Sequence, residues 1–142
     1  MSRRLHARSG SPYELSIGFS RAVRVGERIV VSGTAPVEPD GGCASHVADQ
    51  ARRCFAIIAE ALRDLGGDLT DIVRTRMYLV DPADAAEVGA VHGEALGRTS
   101  PAATMVVVAG LLDPRWRVEI EAEALLDGAA ATDFVGPGPV IP

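Results

Sequence analysis

The hydrophobic positions change their spacing several times along the chain, and each change predicts a new element. Residues 21–25 and 28–32 are short strand-like runs, and Gly26-Glu27 between them predicts a tight β-hairpin. From Ser45 the apolar residues recur with a period of 3.6, which predicts an amphipathic helix with Ser45 as N-cap and Gly66-Gly67 at its end. Its predicted apolar stripe consists of Val47, Ala51, Cys54, Ile58, Ala61, Leu62 and Leu65.

A second strand and a second helix follow. Residues 71–80 return to a period of two, which predicts a strand. Asp84 and Glu87 have the spacing of a capping box, so a second helix is predicted to begin there and to end at Gly97. The two predicted faces of the strand are Val73, Thr75, Met77 and Leu79 on one side, and Arg74, Arg76 and Tyr78 on the other.

Two further strand-like runs, 104–109 and 116–125, are predicted to form a final strand pair. In the last run apolar residues alternate with charged ones, which predicts one buried face and one polar face. The predicted buried face consists of Trp116, Val118, Ile120, Ala122 and Ala124, and the polar face of Arg117, Glu119, Glu121 and Glu123.

The resulting order β-β-α-β-α-β-β predicts an α/β (α+β) domain, with a mixed β-sheet and two helices on one face. Met105 to Val108 are apolar on both faces of their strand, so neither face is expected to meet water. The two helices can cover only one face of the sheet. A second subunit is the simplest cover for the other, and the pattern therefore predicts a homo-oligomer.

The ends of the chain differ in composition from its centre. Residues 1–11 are rich in Arg and Ser and are expected to be mobile, while 12–126 form the single domain. Residues 127–142 are a Gly-, Ala- and Pro-rich tail that is expected to lack regular structure. Phe134 and residues 140–141 are the side chains that could hold this tail to the surface.

Composition excludes several classes of function. All 14 basic residues are arginine, so no side-chain amine exists to form a Schiff base. The net charge of -5 argues against a nucleic-acid partner, which requires clustered positive charge. No run approaches the ~18 apolar residues of a membrane helix, and the N-terminus lacks the apolar core of a signal peptide. We expect no membrane association and a cytoplasmic protein.

The reactive side chains form no recognisable metal or nucleophile motif. His6, His46 and His92 lie on different predicted elements without metal-ligand spacing, so no metal site is expected. Cys43 and Cys54 are interpreted as a loop residue and a core residue. A Ser-His-Asp triad could use Ser32 and His92, but no GxSxG sequence supports it.

An ordered set of short segments resembles the RidA family, also called the YjgF family. The set extends from Phe19 to Leu125 and consists of Gly26–Gly33 (GERIVVSG), Gln50–Arg53 (QARR), Asp71–Thr75 (DIVRT), Tyr78–Asp81 (YLVD), Pro101-Ala102 and Val118–Ala122 (VEIEA). The resemblance implies a chorismate-mutase-like fold and a homotrimer with a central barrel, whose inter-subunit clefts bind a small molecule. It also implies enamine or imine hydrolysis to 2-oxo acids and ammonia, without a metal or organic cofactor.

The same resemblance assigns site residues by position. It places the family's catalytic glutamate at Glu119 and a cleft hydroxyl at Ser32. Thr104 adds a hydroxyl beside Ala103 and is interpreted either as a ligand-binding residue or as an ordinary strand threonine. Four family side chains are replaced here: a tyrosine by Phe19, an asparagine by Gly89, a cysteine by Met105, and the substrate-binding arginine by Ala103. Loss of a bidentate carboxylate contact should weaken binding by a factor of ~10² or more.

The replacement at Ala103 leaves three functional hypotheses. The first is a homotrimer that binds a small metabolite and lacks the usual 2-imino-acid deaminase activity. The second is an active deaminase in which Arg76, Arg98 or Arg115 takes the missing role. The third is a ligand-sensing or partner-binding trimer without chemistry. Structural alternatives also stand: Glu119 could be a strand-face charge opposed by Arg74 and Arg76, and Ser32 could close the strand end.

Overall fold

The computed structural model describes residues 3–128 and 133–140. Two helices, α1 (Val47–Asp64) and α2 (Ala85–Leu96), pack on one six-stranded mixed sheet, which confirms the predicted fold class. The strands are β1 (Arg4–Ala7), β2 (Ala22–Val25), β3 (Arg28–Thr34), β4 (Ile72–Leu79), β5 (Ala102–Val107) and β6 (Val118–Leu125). Their order across the sheet is β1-β2-β3-β6-β4-β5, and β4 and β5 are the parallel pair.

The core lies between α1 and the central strands. The predicted stripe of α1 is buried, and it meets the alternating apolar residues of β3 and β6. Burial of these side chains is the main stabilising contribution to such a fold. The fully buried side chains at this contact include Ile58, Leu62, Ile29, Val118 and Ile120.

The final strand pair predicted from the sequence is wrong. β5 pairs with β4 in parallel at the edge of the sheet, and β6 lies between β3 and β4. The connection 108–117 is long enough to cross β4, whereas a hairpin turn would be only a few residues long. In its central position β6 has a partner on each side, so its apolar face is buried completely.

The predicted core face of β4 is wrong at the start of the strand, where a β-bulge lies. Ile72 pairs with Ala124 and Arg74 pairs with Glu123, so Val73 has no partner in β6. An unpaired residue in a bulge changes which side chains face the core. Val73 is therefore 42% exposed, and Ile72 is buried instead.

The two predicted N-caps have different outcomes: Ser45 is not the N-cap of α1, whereas Asp84 is the N-cap residue of α2 but lacks the predicted capping hydrogen bond. His46, not Ser45, is the N-cap of α1, and it makes no capping hydrogen bond through its side chain. Asp84 precedes α2 but accepts no capping hydrogen bond either. Its carboxylate instead accepts bonds from Arg117 Nη2 at 2.6 Å and Nε at 3.1 Å. A charged partner binds this buried carboxylate more strongly than a backbone N–H would.

The N-terminal segment contains a strand that the sequence interpretation did not include. β1 pairs with β2 from Arg4↔Val25 to Ala7↔Ala22, and Ala7 is buried. At the other end, residues 127–128 and 133–140 form no helix or strand. Phe134 is 75% exposed, so it does not attach the described tail to the surface, and residue 141 lies outside the described residues.

The sheet face opposite the helices, called the open face below, is polar at its centre and apolar around it. Arg76 lies 3.9 Å from both Glu121 and Glu123, and Tyr78 donates a hydrogen bond to Glu121. The predicted opposition of arginine and glutamate is thus confirmed for Glu121 and Glu123, whereas Glu119 lies opposite Tyr78. Val30 and Val106 are each 42% exposed on this face.

Candidate active site

Glu119 lies on the open face of β6, against the backbone of β3. A β-bulge makes this approach possible: Val31 pairs with Ala122 and Thr34 with Ile120, so two residues of β3 lie opposite one of β6. A Cβ atom added at Gly33, one of the two, would lie 2.7 Å from Glu119 Oε2. Glycine at this position therefore leaves the space that the carboxyl group occupies.

The Glu119 carboxyl is partly withdrawn from water. Burial raises the pKa of Glu119 above its ordinary value, the positive charge of Arg21 lowers it, and Glu121 raises it. Burial has the largest effect, because removal of water disfavours the charged form. A carboxyl group with a raised pKa can donate and accept a proton closer to neutral pH.

Arg21 is the second charged group of this site, and the sequence interpretation did not identify it. Its Nη2 donates to the carbonyl oxygen of Gly33 at 2.5 Å, and its guanidinium carbon lies 5.7 Å from the Phe19 ring centroid. Arg21 Nε is enclosed and has no acceptor among the described residues. Burial lowers the pKa of Arg21, and the charges of Glu14 and Glu119 oppose that effect. Arg21 and Glu119 thus flank Gly33.

A signal for Arg21 was present in the sequence. Phe19 had been placed in the cleft by position, and residues two apart in an extended segment point to the same side. Arg21 stands two residues after Phe19, immediately before β2. The three replacements predicted from the sequence, Arg76, Arg98 and Arg115, all lie in the second half of the chain.

Ser32 attaches the Phe19–Arg21 segment to the bulge. Its hydroxyl donates to the carbonyl oxygen of Ser20 at 2.7 Å, and its backbone N–H donates to the carbonyl oxygen of Arg21 at 3.0 Å. The hydroxyl therefore has a structural partner, and a ligand-binding role for Ser32 remains a prediction.

Phe19 also lines a cavity of about 350 Å³. The buried Glu14 lies in its wall, where its carboxylate accepts hydrogen bonds from the backbone and the hydroxyl of Ser9. Ser20 Oγ and His6 Nδ1 are 2.8 Å apart in the same wall. These contacts fix the N-terminal segment beside Phe19.

The predicted site residues on β5 lie on the far side of β4 from Glu119. Ala103 pairs with Thr75 and Met105 with Met77, so both side chains are on the helix side of the sheet. Met105 packs against the core, and Thr104 lies opposite Arg76 on the open face. Within one chain Ala103 and Met105 are therefore not brought together with Glu119.

Gly89 is exposed on α2, and a Cβ atom added there would contact nothing within 4 Å. One turn later His92 Nε2 lies 2.8 Å from Thr75 Oγ1, beside the edge of the Phe55 ring, and burial lowers the pKa of His92. Since Ser32 and His92 have these separate partners, the structure does not assemble the triad considered from the sequence.

The arginines considered as replacements have other surroundings. Arg76 lies between two glutamates, Arg115 bonds Asp113 and the carbonyl oxygen of Gly41, and Arg98 is exposed after Gly97. The two thiols are also poor candidates for nucleophiles. Burial raises the pKa of Cys43 and of Cys54, and Cys54 Sγ lies 3.2 Å from the Thr34 carbonyl oxygen.

Comparison with known proteins identifies the family. The sequence model of a family described as Endoribonuclease L-PSP matches residues 13–126. The chain belongs to the RidA/YjgF family. The human 2-iminobutanoate/2-iminopropanoate deaminase is 32% identical over 110 residues, covering 75% of this chain and 79% of that protein. An uncharacterized protein of Streptomyces coelicolor is 36% identical over 119 residues, covering 82% of this chain and 87% of that protein.

The family assignment extends to the three-dimensional fold. The crystal structure of Rv2704 from Mycobacterium tuberculosis, a member of the YjgF/YER057c/UK114 family, superposes with a TM-score of 0.80 at 41% identity. The match covers 87% of this chain and 99% of that chain. The resemblance inferred from short sequence segments is thus confirmed. In the described part of the chain, no helix is long and apolar enough to cross a membrane.

Proposed function

We propose that this protein is a homotrimer that hydrolyses a small imine or enamine, with Glu119 as the proton-transferring group. The observation that carries the proposal is the position of Glu119, half-buried against Gly33 with a pKa raised by burial. Membership of a family that includes named imine deaminases supports the reaction class.

The chemistry requires one group that exchanges protons in both directions. The protonated Glu119 donates to the imine nitrogen, and its carboxylate then takes a proton from the water that attacks the imine carbon. Glu119 next protonates the amine of the resulting carbinolamine. Ammonia leaves as the C=O bond forms, and the hydroxyl proton passes to the Glu119 carboxylate, which restores the starting acid, so the balance is imine plus water to carbonyl compound plus ammonia. An enamine is first protonated on carbon.

The open face supports the proposed trimer. Val30 and Val106 expose apolar surface there, and β5 leaves one edge of the sheet without a neighbouring strand. Docking of a second subunit would cover both features and would bring its Ala103 strand to the Glu119 side of this chain. Sedimentation equilibrium tests the assembly: a trimer is expected, and a monodisperse monomer at micromolar concentration would refute it.

Substrate preference should differ from that of the named deaminases. Ala103 cannot provide the guanidinium that the family resemblance places at this position, so we expect 2-iminobutanoate to be hydrolysed more slowly than by those relatives.

The activity test uses imines generated in situ by an amino-acid oxidase, with ammonia release measured above the spontaneous rate. We expect turnover of at least one 2-imino acid by the wild-type protein and a loss of about 10²-fold or more in Glu119→Gln. Glu123→Gln, on the same strand and face, is the matched control and should keep the wild-type rate. Equal rates for wild type and Glu119→Gln would contradict the proposal.

A further inference from the structure

We infer that Arg21 takes the carboxylate-binding role that Ala103 cannot fill, and that it does so through the site that contains Glu119. This inference rests on the proposed function and names a specificity-determining residue for it. It assigns the carboxylate-binding role to the same chain that supplies Glu119.

The hydrogen bonding of Arg21 leaves most of its capacity for a ligand. A guanidinium has five N–H donors, and in the described residues Arg21 uses one of them, toward the Gly33 carbonyl oxygen. Its Nε is enclosed without an acceptor. Because Nε is closed off by the protein, the donors that a ligand can reach are those of Nη1 and the second hydrogen of Nη2. A carboxylate is the partner that satisfies two guanidinium donors at once.

The position of the guanidinium is fixed before any ligand binds. The Gly33 carbonyl holds one edge, and the Phe19 ring lies 5.7 Å from the guanidinium carbon. A cation over an aromatic ring is stabilised without consuming its N–H donors. Phe19 thus supports Arg21, although it lacks the hydroxyl of the tyrosine that the family resemblance places there.

The nearby carboxylates do not neutralise Arg21 by direct contact. Neither the Glu119 nor the Glu14 carboxylate lies within 4.0 Å of the Arg21 guanidinium, the limit for an ion pair. The charges of both nevertheless raise the pKa of Arg21. Glu14 is buried and accepts hydrogen bonds from Ser9. Glu119 loses its negative charge when it is protonated, which is the state that begins the proposed reaction. When a substrate carboxylate then binds Arg21, Glu14 is the remaining nearby acidic group that repels it.

The arrangement also sets the orientation of the substrate. Arg21 and Glu119 are on two sides of Gly33, so a carboxylate held by Arg21 places the adjoining C=N group toward Glu119. A bidentate arginine contact fixes direction as well as position. No side-chain guanidinium at residue 103 is then needed for binding.

Binding of a stable product analogue tests Arg21 independently of turnover. The probes are 2-oxobutanoate and the neutral 2-butanone, titrated into the full-length protein by ligand-observed NMR. The variants are Arg21→Met, which keeps the apolar stem, and Arg21→Lys, which keeps the charge without the planar fork. Arg28→Met removes an arginine from the neighbouring strand and is the matched control. Melting temperatures confirm that each variant is folded.

We expect the Kd of 2-oxobutanoate to rise by about 10- to 100-fold in Arg21→Met and by less in Arg21→Lys. Arg28→Met should bind as wild type, and 2-butanone should bind equally to all folded variants. If Arg21→Met does not fold, Arg21→Lys decides: unchanged 2-oxobutanoate binding in that variant would overturn the inference, and a selective loss of 2-oxobutanoate affinity, with 2-butanone binding unchanged, would support it.

Two further results would also overturn it: wild-type affinity for 2-oxobutanoate in Arg21→Met, or no binding of 2-oxobutanoate by the wild-type protein. The proposed function fails separately. Glu119→Gln should keep 2-oxobutanoate binding while it loses ammonia release, so a protein that binds through Arg21 but never releases ammonia refutes hydrolysis and leaves the Arg21 assignment standing.

Discussion

Glu119 and Gly33 are in direct contact: the space that a Cβ atom at Gly33 would fill lies 2.7 Å from Glu119 Oε2. The carboxyl group therefore rests on the backbone of the neighbouring strand, where a side chain on any other residue would displace it. The position of the proposed catalytic group depends on the absence of a side chain at residue 33.

Gly33→Ala is expected to move the Glu119 carboxyl and to lower kcat by at least about 10-fold, because proton transfer depends on sub-ångström placement. Ammonia release measures the effect. Gly93→Ala is the control, since an added Cβ there contacts nothing within 4 Å and alanine favours a helix. An unchanged kcat in Gly33→Ala would show that the contact is irrelevant to the reaction.

The pKa of Glu119 predicts how stability depends on pH. Its folded-state value is raised, so the stability that protonated Glu119 contributes is fully present below the unfolded value of ~4.3 and is lost as pH rises through the folded pKa. Glu119→Gln does not ionise and should escape this loss.

Urea unfolding at a series of pH values measures the difference. The free energy of unfolding of Glu119→Gln, relative to wild type, should increase as pH rises from about 4 and should level off above the folded pKa. A difference that is the same at every pH would mean that Glu119 titrates in the folded protein as it does in the unfolded chain.

Removal of Asp84 should destabilise the fold. Its carboxylate is 5% exposed and holds Arg117 through two hydrogen bonds, at 2.6 and 3.1 Å. Asp84→Ala leaves the guanidinium of Arg117 without this partner, at an expected cost of about 2–4 kcal/mol in the free energy of unfolding. Asp49→Ala removes an exposed partner of Arg52 and should cost less than about 1 kcal/mol. Equal costs in urea unfolding would contradict this account.

An arginine introduced at residue 103 tests the proposed inter-subunit cleft. Ala103→Arg should raise kcat/KM for 2-iminobutanoate by about 10-fold or more if a neighbouring subunit brings β5 to Glu119. Ala102→Arg carries the same charge, but alternation along the strand directs it to the other face of the sheet. A similar gain in both variants would indicate a general effect of charge and not a defined cleft.

Periodicity predicted the elements of this fold well where one side of an element is buried. The α1 stripe and the alternation of β6 were read correctly, because each pattern records contact with one core. Strand order was not predicted correctly. The runs that form β5 and β6 have no residue that distinguishes a hairpin from a crossover. The observed strand order depends on burial of β6 between β3 and β4.

The candidate site was predicted only in part, because its geometry depends on the bulge in β3. The family resemblance located Glu119 and Phe19 by position. The spacing of Phe19 and Arg21 indicates a shared side, but it does not predict the contact of Arg21 with Gly33, since that contact uses a backbone carbonyl that any residue possesses. The burial of Val73 and the capping hydrogen bond of Asp84 were predicted wrongly for a similar reason: a bulge moves Val73 off the core face, and Arg117 binds the carboxylate that was expected to cap α2.

The bulge in β3 also limits how such a site could evolve or be grafted onto another sheet. Ser32 bonds the carbonyl of Ser20, and Gly33 accepts from Arg21 and makes room for Glu119. One extra residue in β3 thereby sets the spacing between a cation from the segment that precedes β2 and an acid from β6. A designer who grafted only the two charged side chains onto a regular sheet would lose that spacing, whereas deletion of a single residue here would disconnect both at once.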